Sequence, residues 1–197
     1  MRSGPGTLEI HPVTPERWED LVELFGDRGA YANCWCMWWR VSGVDFDRGI
    51  RNRGTGNRRA IRSLVAEARV PGLLAYRDGR PVGWVSLAPR EEFGRLQRSP
   101  TLKPVDERPV WSIVCFFMDR AERGKKVGTA LLDAAVRYAS ERGATLVEGY
   151  PVDPTARAIS NADAYTGVVS MFLRAGFQEV ARRGSRPIMR RRLRPRR

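Results

Sequence analysis

The sequence predicts one mixed α/β domain, with hairpins on one side of a sheet and a crossover helix feeding a parallel strand. Three observations predict it. Trp111–Met118, reading WSIVCFFM, is an apolar run of strand length. A basic turn separates it from residues 129–143, where Ala130, Leu131, Ala134, Ala135 and Tyr138 recur at helical spacing before a further strand at 145–150. Asp78-Gly79, set between the apolar runs 73–77 and 82–87, is a strong hairpin signal.

The remaining elements follow in order. Residues 8–12 read as a first strand. Thr14 can cap a helix with Pro15 at its first position, running to Phe25 with Trp18, Leu21, Val22 and Phe25 as its apolar stripe. Residues 29–57 are the least regular portion. A second helix then has Asn57 as candidate cap, presents Ile61, Leu64, Val65 and Ala68 to the core, and ends before Pro71-Gly72. The polar stretch 89–109 is a loop long enough to suggest function or mobility. After Pro151 and Pro154 comes an irregular piece, then a helix over about 166–175 stopped by Gly176. Residues 177–181 and 188–193 can be closing strands.

At 197 residues, 42% hydrophobic and 29% charged, the whole chain suits a single globular domain. It has no apolar run of membrane-spanning length and no basic-then-apolar leader, so cytoplasmic residence and no membrane partner are expected. Nine of the thirteen net positive charges are arginines between Arg182 and the end. That segment, 182–197, can bind polyanions nonspecifically. Ile188, Met189 and Leu193 within it suggest that part of it is a final strand. Cys34, Cys36 and Cys115 make no disulfide framework. Cys34 and Cys36 with the single distant His11 fall short of a tetrahedral set, so no metal is expected.

The turn Arg123-Gly124-Lys125-Lys126-Val127-Gly128-Thr129 carries the chemistry. It delivers successive backbone N–H groups at a helix N-terminus beside two lysines and an arginine, which suits a phosphate or pyrophosphate. A solubilising charged connection is the plainer reading. The longer glycine loop of a nucleotide P-loop and the three spaced glycines of a dinucleotide fold are both missing.

With that turn followed by Ala130–Leu132, and with MFLRAGF at residues 171–177, the chain resembles the GCN5-related N-acetyltransferase (GNAT) superfamily. The order of elements agrees from Leu8 to Leu193. The resemblance implies a mixed, mostly antiparallel central sheet flanked by helices, with a splayed parallel strand pair. Two residues depart from the family pattern. Lys126 stands where a glycine is usual, and Phe172 where many members place a tyrosine that protonates the leaving thiolate.

The resemblance further implies acetyl-coenzyme A as co-substrate, lying where Trp111–Met118 and the strand at 145–150 separate. Phe116, Phe117 and Met118 would pair with its pantetheine arm. The amides from Gly124 to Thr129, with Arg123, would hold its diphosphate, and Asn161 would touch it from the irregular piece. A primary amine of a small molecule or peptide would then attack directly, which needs a general base. Glu148 is the first candidate; the alternative places it on the other face of its strand, paired with arginine. Tyr165 is the phenol nearest in sequence to replace the missing tyrosine. Asp153 would bind the substrate ammonium or cap the next segment. Trp35, Trp38 and Arg40, in the run YANCWCMWWR, would line the acceptor pocket, core or a homodimer interface being the alternatives. A noncatalytic acyl-coenzyme A-binding module and a nucleic-acid-associated protein remain as other functions.

Overall fold

Alternating apolar residues in the N-terminal half build an antiparallel meander. In the computed structural model, which describes residues 6–155 and 163–193, β1 (Leu8–Pro12) pairs with β2 (Gly72–Arg77), and β2 with β3 (Arg80–Pro89). Asp78 and Gly79 take φ of 52° and 78°, the left-handed pair that a two-residue hairpin turn requires. Strand β4 (Trp111–Met118) joins β3 antiparallel. It then pairs parallel with β5 (Leu146–Gly149), beyond which lie β7 (Arg186–Arg192) and β6 (Gln178–Arg183). The strand order β1-β2-β3-β4-β5-β7-β6 contains one parallel pair, as the resemblance implies.

Helices cover the sheet. Trp18, Leu21 and Phe25 of α1 (Trp18–Phe25) pack with Ile61 and Val65 against Leu74, Tyr76 and Trp84. A separate cluster joins Leu131, Leu132 and Ala135 of a later helix to Leu73, Val85 and Leu87, whose side chains alternate with those of the first set along β2 and β3. Each such fully buried side chain contributes about 1.5–3 kcal/mol. A third cluster gathers Trp39, Phe93, Leu96, Leu102, Val114, Tyr150 and Ile188. Among the described residues no helix is long and apolar enough to cross a membrane.

Several expectations need correcting. Thr14 makes no side-chain cap; its Oγ1 accepts from Arg17 Nη1 at 3.4 Å, and the first turn, Pro15–Arg17, is 3-10. The irregular stretch contains α2 (Gly43–Gly49), capped by Ser42, whose Oγ accepts the Asp45 N–H at 3.1 Å. Helix α3 (Arg51–Ala66) begins earlier than expected, but Asn52, Arg53 and Gly54 are left-handed, so regular turns start after the kink. Asn57 is buried within it and donates to the Asn33 carbonyl at 3.1 Å, and Ala68 lies past its end.

The stretch 89–109 is pinned rather than loose. It folds into a 3-10 turn and α4 (Gly94–Arg98), and the buried Arg90 guanidinium donates to the carbonyls of Leu96, at 3.2 Å, and Leu102. The remaining helices are α5 (Val127–Glu141) and α6 (Val169–Arg174). Gly83 lets α5 settle on β3: a Cβ there would stand 2.8 Å from Val127 Cγ1 and 3.1 Å from Leu131 Cδ1. That close approach places the basic turn at the end of the sheet.

Candidate acyl-carrier cleft

The turn is built in two steps after β4. Asp119 accepts from the Ala121 N–H at 2.8 Å and starts a 3-10 turn over Arg120–Glu122. Glu122 then accepts from Lys125 Nζ at 3.0 Å and Arg77 Nε at 2.8 Å, which moors the turn to β2. Those two cations, Lys125 first, hold its carboxyl below the usual 4.5. A depressed folded value stabilises the protein above 4.5 and stops doing so as acid carries the pH through that folded value. Glu122→Gln is therefore expected to be less stable than wild type at pH 7, the gap closing on acidification when denaturant midpoints are compared across pH.

Beyond the mooring, the helix start leaves donors without helical acceptors. The first bond of α5 runs from the Ala130 N–H to the Lys126 carbonyl at 3.1 Å, so the amides of Val127, Gly128 and Thr129 lack intrahelical acceptors. No side chain caps the helix. Arg123, Gly124, Lys125 and Lys126 are exposed around it. These amides and charges form an anion cradle by position.

Lys126 has φ of 64° and ψ of 9°, the left-handed conformation that a glycine adopts without cost. The lysine accepts about 1 kcal/mol of strain to hold it. Lys126→Gly should raise the unfolding free energy by about 1 kcal/mol, measured by urea titration, while removing one cation from the cradle.

The strand half of the site comes from the ladder between β4 and β5. It stops at Ile113–Gly149, where β5 ends, so residues 114–118 continue with β3 as their strand partner. Phe116 is buried, edge-on to Phe172 at 6.3 Å, and Phe117 and Met118 are half-buried. Met118 Sδ lies 3.3 Å from where a Cβ on Gly128 would stand. The structure thus brings Met118 of the expected strand residues beside Gly128 of the expected turn. Phe172 is fully buried against Gly149, where a Cβ would meet its ring at 2.2 Å.

Glu148 stands otherwise. It is fully buried on the side of its strand facing Arg90, Tyr150 and Arg190. One oxygen accepts from Arg90 Nη1 at 2.8 Å and the Tyr150 hydroxyl at 2.6 Å; the other accepts from Arg190 Nε at 2.6 Å. Ser112 Oγ lies 2.8 Å from the same hydroxyl, and Asp106 receives Arg190 Nη1 at 2.7 Å. Burial, with Glu148 beside it, pushes the Tyr150 phenol well above its usual range. A general base needs a lone pair that the amine can reach, and both oxygens here are committed to guanidinium groups. The arginine-paired alternative is the one present. Arg90, Tyr150 and Arg190 went unsignalled, although a charge inside each of two adjoining apolar strands, Glu148 and Arg190, hints at pairing.

The other expected residues divide. Tyr165 packs on the cluster holding Val114 and Tyr150, near the separated strands. Asn161 lies outside the described residues. Trp35 is sealed in the core, stacked on Trp18 at 6.3 Å. Trp38 is 38% exposed, with the Arg95 guanidinium 3.7 Å over its ring. Arg40 is buried, donating to Glu92 at 2.8 Å and the Pro71 carbonyl at 3.3 Å. Asp153 accepts from Thr155 and from Arg182 at 2.9 Å, and these partners hold its carboxyl low. The capping alternative describes it. Among the described residues no cluster of three or more potential metal ligands occurs.

The family model for the acetyltransferase (GNAT) family matches residues 18–160. The chain belongs to the GNAT family. No curated protein matches the sequence. Solved structures share the GNAT fold. A GNAT-family acetyltransferase from Listeria monocytogenes 4b F2365 is 13% identical, with a TM-score of 0.59 over 98% of this chain and 99% of that one. The PaiA N-acetyltransferase from Thermoplasma acidophilum, solved in complex with coenzyme A, is 18% identical, with a TM-score of 0.53 over 95% and 99%. A ribosomal-protein-alanine N-acetyltransferase from Brucella melitensis is 19% identical, with a TM-score of 0.52 over 94% and 99%. GNAT membership supports acetyltransferase activity in general.

Proposed function

We propose that this GNAT protein transfers an acetyl group from acetyl-coenzyme A to a primary amine of a small molecule or peptide by direct attack. The observation that carries the reading is the set of uncapped amides at Val127, Gly128 and Thr129, set against the end of β4 that lies beyond its pairing with β5. The PaiA structure contains coenzyme A, and a NatC complex, 11% identical with a TM-score of 0.54, contains a Gag peptide and coenzyme A. Acetyl-coenzyme A supplies a thioester carbonyl activated toward amines.

The residues of this chain divide the remaining work. The amides from Gly124 to Thr129 hold the diphosphate, with Arg123, Lys125 and Lys126 supplying charge. The free edge of residues 114–118 pairs with the pantetheine amides and offers an N–H to the carbonyl oxygen, where charge develops. Phe172 has no proton to give, and Tyr165 is the phenol beside the separated strands. Tyr165→Phe should lower kcat at least tenfold with coenzyme A affinity unchanged. Unaltered turnover in free-thiol release assays would assign protonation of the thiolate to water.

Calorimetric titration with coenzyme A, followed by thiol-release assays over an amine panel, tests the whole reading. Uptake with turnover supports it. Uptake without turnover favours the binding-module alternative, to which Phe172 and Lys126 lend support, and absence of uptake removes both. Among the described residues Arg182, Arg183, Arg186, Arg190 and Arg191 bond the protein's own oxygens, and loss of nucleic-acid binding on cutting the arginine tail would be the mark of the polyanion reading.

A further inference from the structure

Cys36 and Cys115 are 79 residues apart in sequence, yet their sulfurs stand 3.4 Å apart. Cys36 is buried, its sulfur accepting from Trp84 Nε1 at 3.0 Å, and either thiol of the pair can donate to the other. Cys115 is half-buried on the part of β4 that has lost β5, one residue before Phe116. We infer that these two thiols are a reversible oxidation site, closing a Cys36–Cys115 disulfide when the protein meets a peroxide.

The steps balance. The Cys115 thiolate attacks a peroxide oxygen, forming a sulfenic acid and releasing hydroxide from hydrogen peroxide. The Cys36 thiol then displaces the sulfenic oxygen as water, and the S–S bond forms. The two electrons go to the peroxide, and a dithiol reductant returns them. The first attack falls to Cys115 because it is half-buried where a peroxide can reach it, whereas Cys36 is buried; the bond to Cys115 and burial also push the Cys36 thiol well up.

Closing from 3.4 Å to bonding distance requires about 1.4 Å of approach. β4 is held along its length by β3, whereas Cys36 sits in a loop outside the sheet. The loop therefore moves. Cys34 is held locally, its sulfur donating to the Gly29 carbonyl and receiving the Cys36 N–H at 3.4 Å. The bond ties the tryptophan-rich loop to the free end of β4. It stands independently of the acetyl-transfer reading.

Brief exposure of the folded protein to hydrogen peroxide, alkylation and peptide mass mapping test it. The expected product is one cross-linked peptide pair joining Cys36 and Cys115, lighter by two hydrogens, with two of the three thiols protected and restored by dithiothreitol. Cys34→Ser should leave this unchanged, and Cys115→Ser should abolish it. Three alkylatable thiols after exposure, a Cys34–Cys36 linkage, or sulfinic acid at Cys115 without cross-linking would each overturn it. The wild-type map alone decides the matter if a variant folds poorly.

Discussion

Glu148→Leu is expected to remove about 3–5 kcal/mol of unfolding free energy, seen as a lower urea midpoint with an unchanged slope. The carboxylate is fully buried and shared by Arg90 and Arg190, so leucine strands the Arg90 guanidinium away from water and leaves Arg190 with Asp106 as its remaining carboxylate. Arg90 also holds the carbonyls of Leu96 and Leu102, so the damage spreads into stretch 89–109. Glu148→Gln keeps an acceptor and separates structure from chemistry. Its folded fraction should transfer acetyl groups with the wild-type pH profile. A fully folded Glu148→Gln protein with turnover lost chiefly at low pH would return the residue to the role of base.

Gly128→Glu is expected to weaken coenzyme A binding by about 100-fold, about 2.8 kcal/mol. It sets a carboxylate among the uncapped amides, where the anion of the ligand belongs. Gly128→Ala is the control. A methyl there meets Met118 Sδ at 3.3 Å and Met171 Sδ at 3.6 Å, both ends of flexible side chains, so folding and affinity should change little. Equal calorimetric affinities for all three proteins would place the diphosphate elsewhere and remove the cradle from the site.

The parts of the fold legible in sequence are those specified over a few neighbouring residues. β4 was readable to the residue because eight consecutive strand-forming side chains end at a charged turn. The β2–β3 hairpin was readable because Asp-Gly tolerates the two positive φ values. Helix α2 was not, because GVDFDRG holds two glycines, two aspartates and little periodicity. Packing of Phe46 supplies what local propensity lacks.

The candidate site splits along the same line. The basic turn with its helix start announced itself, because uncapped amides are a property of any helix N-terminus and the flanking charges are adjacent in the chain. The acceptor side did not. Nothing local distinguishes Trp35, sealed against Trp18, from Trp38, which meets solvent and Arg95.

By itself, then, the sequence determined the order of the main strands and longer helices, the basic turn at the start of α5 and the membership of a family. Tertiary structure alone decided the fate of Glu148. Its partners Arg90 and Arg190 lie 58 and 42 residues away, and only the pairing of β5 with β7 and the folding of stretch 89–109 bring them within reach. A carboxylate's chemistry is set by whichever charges surround it in space, and that is not written in its neighbours along the chain.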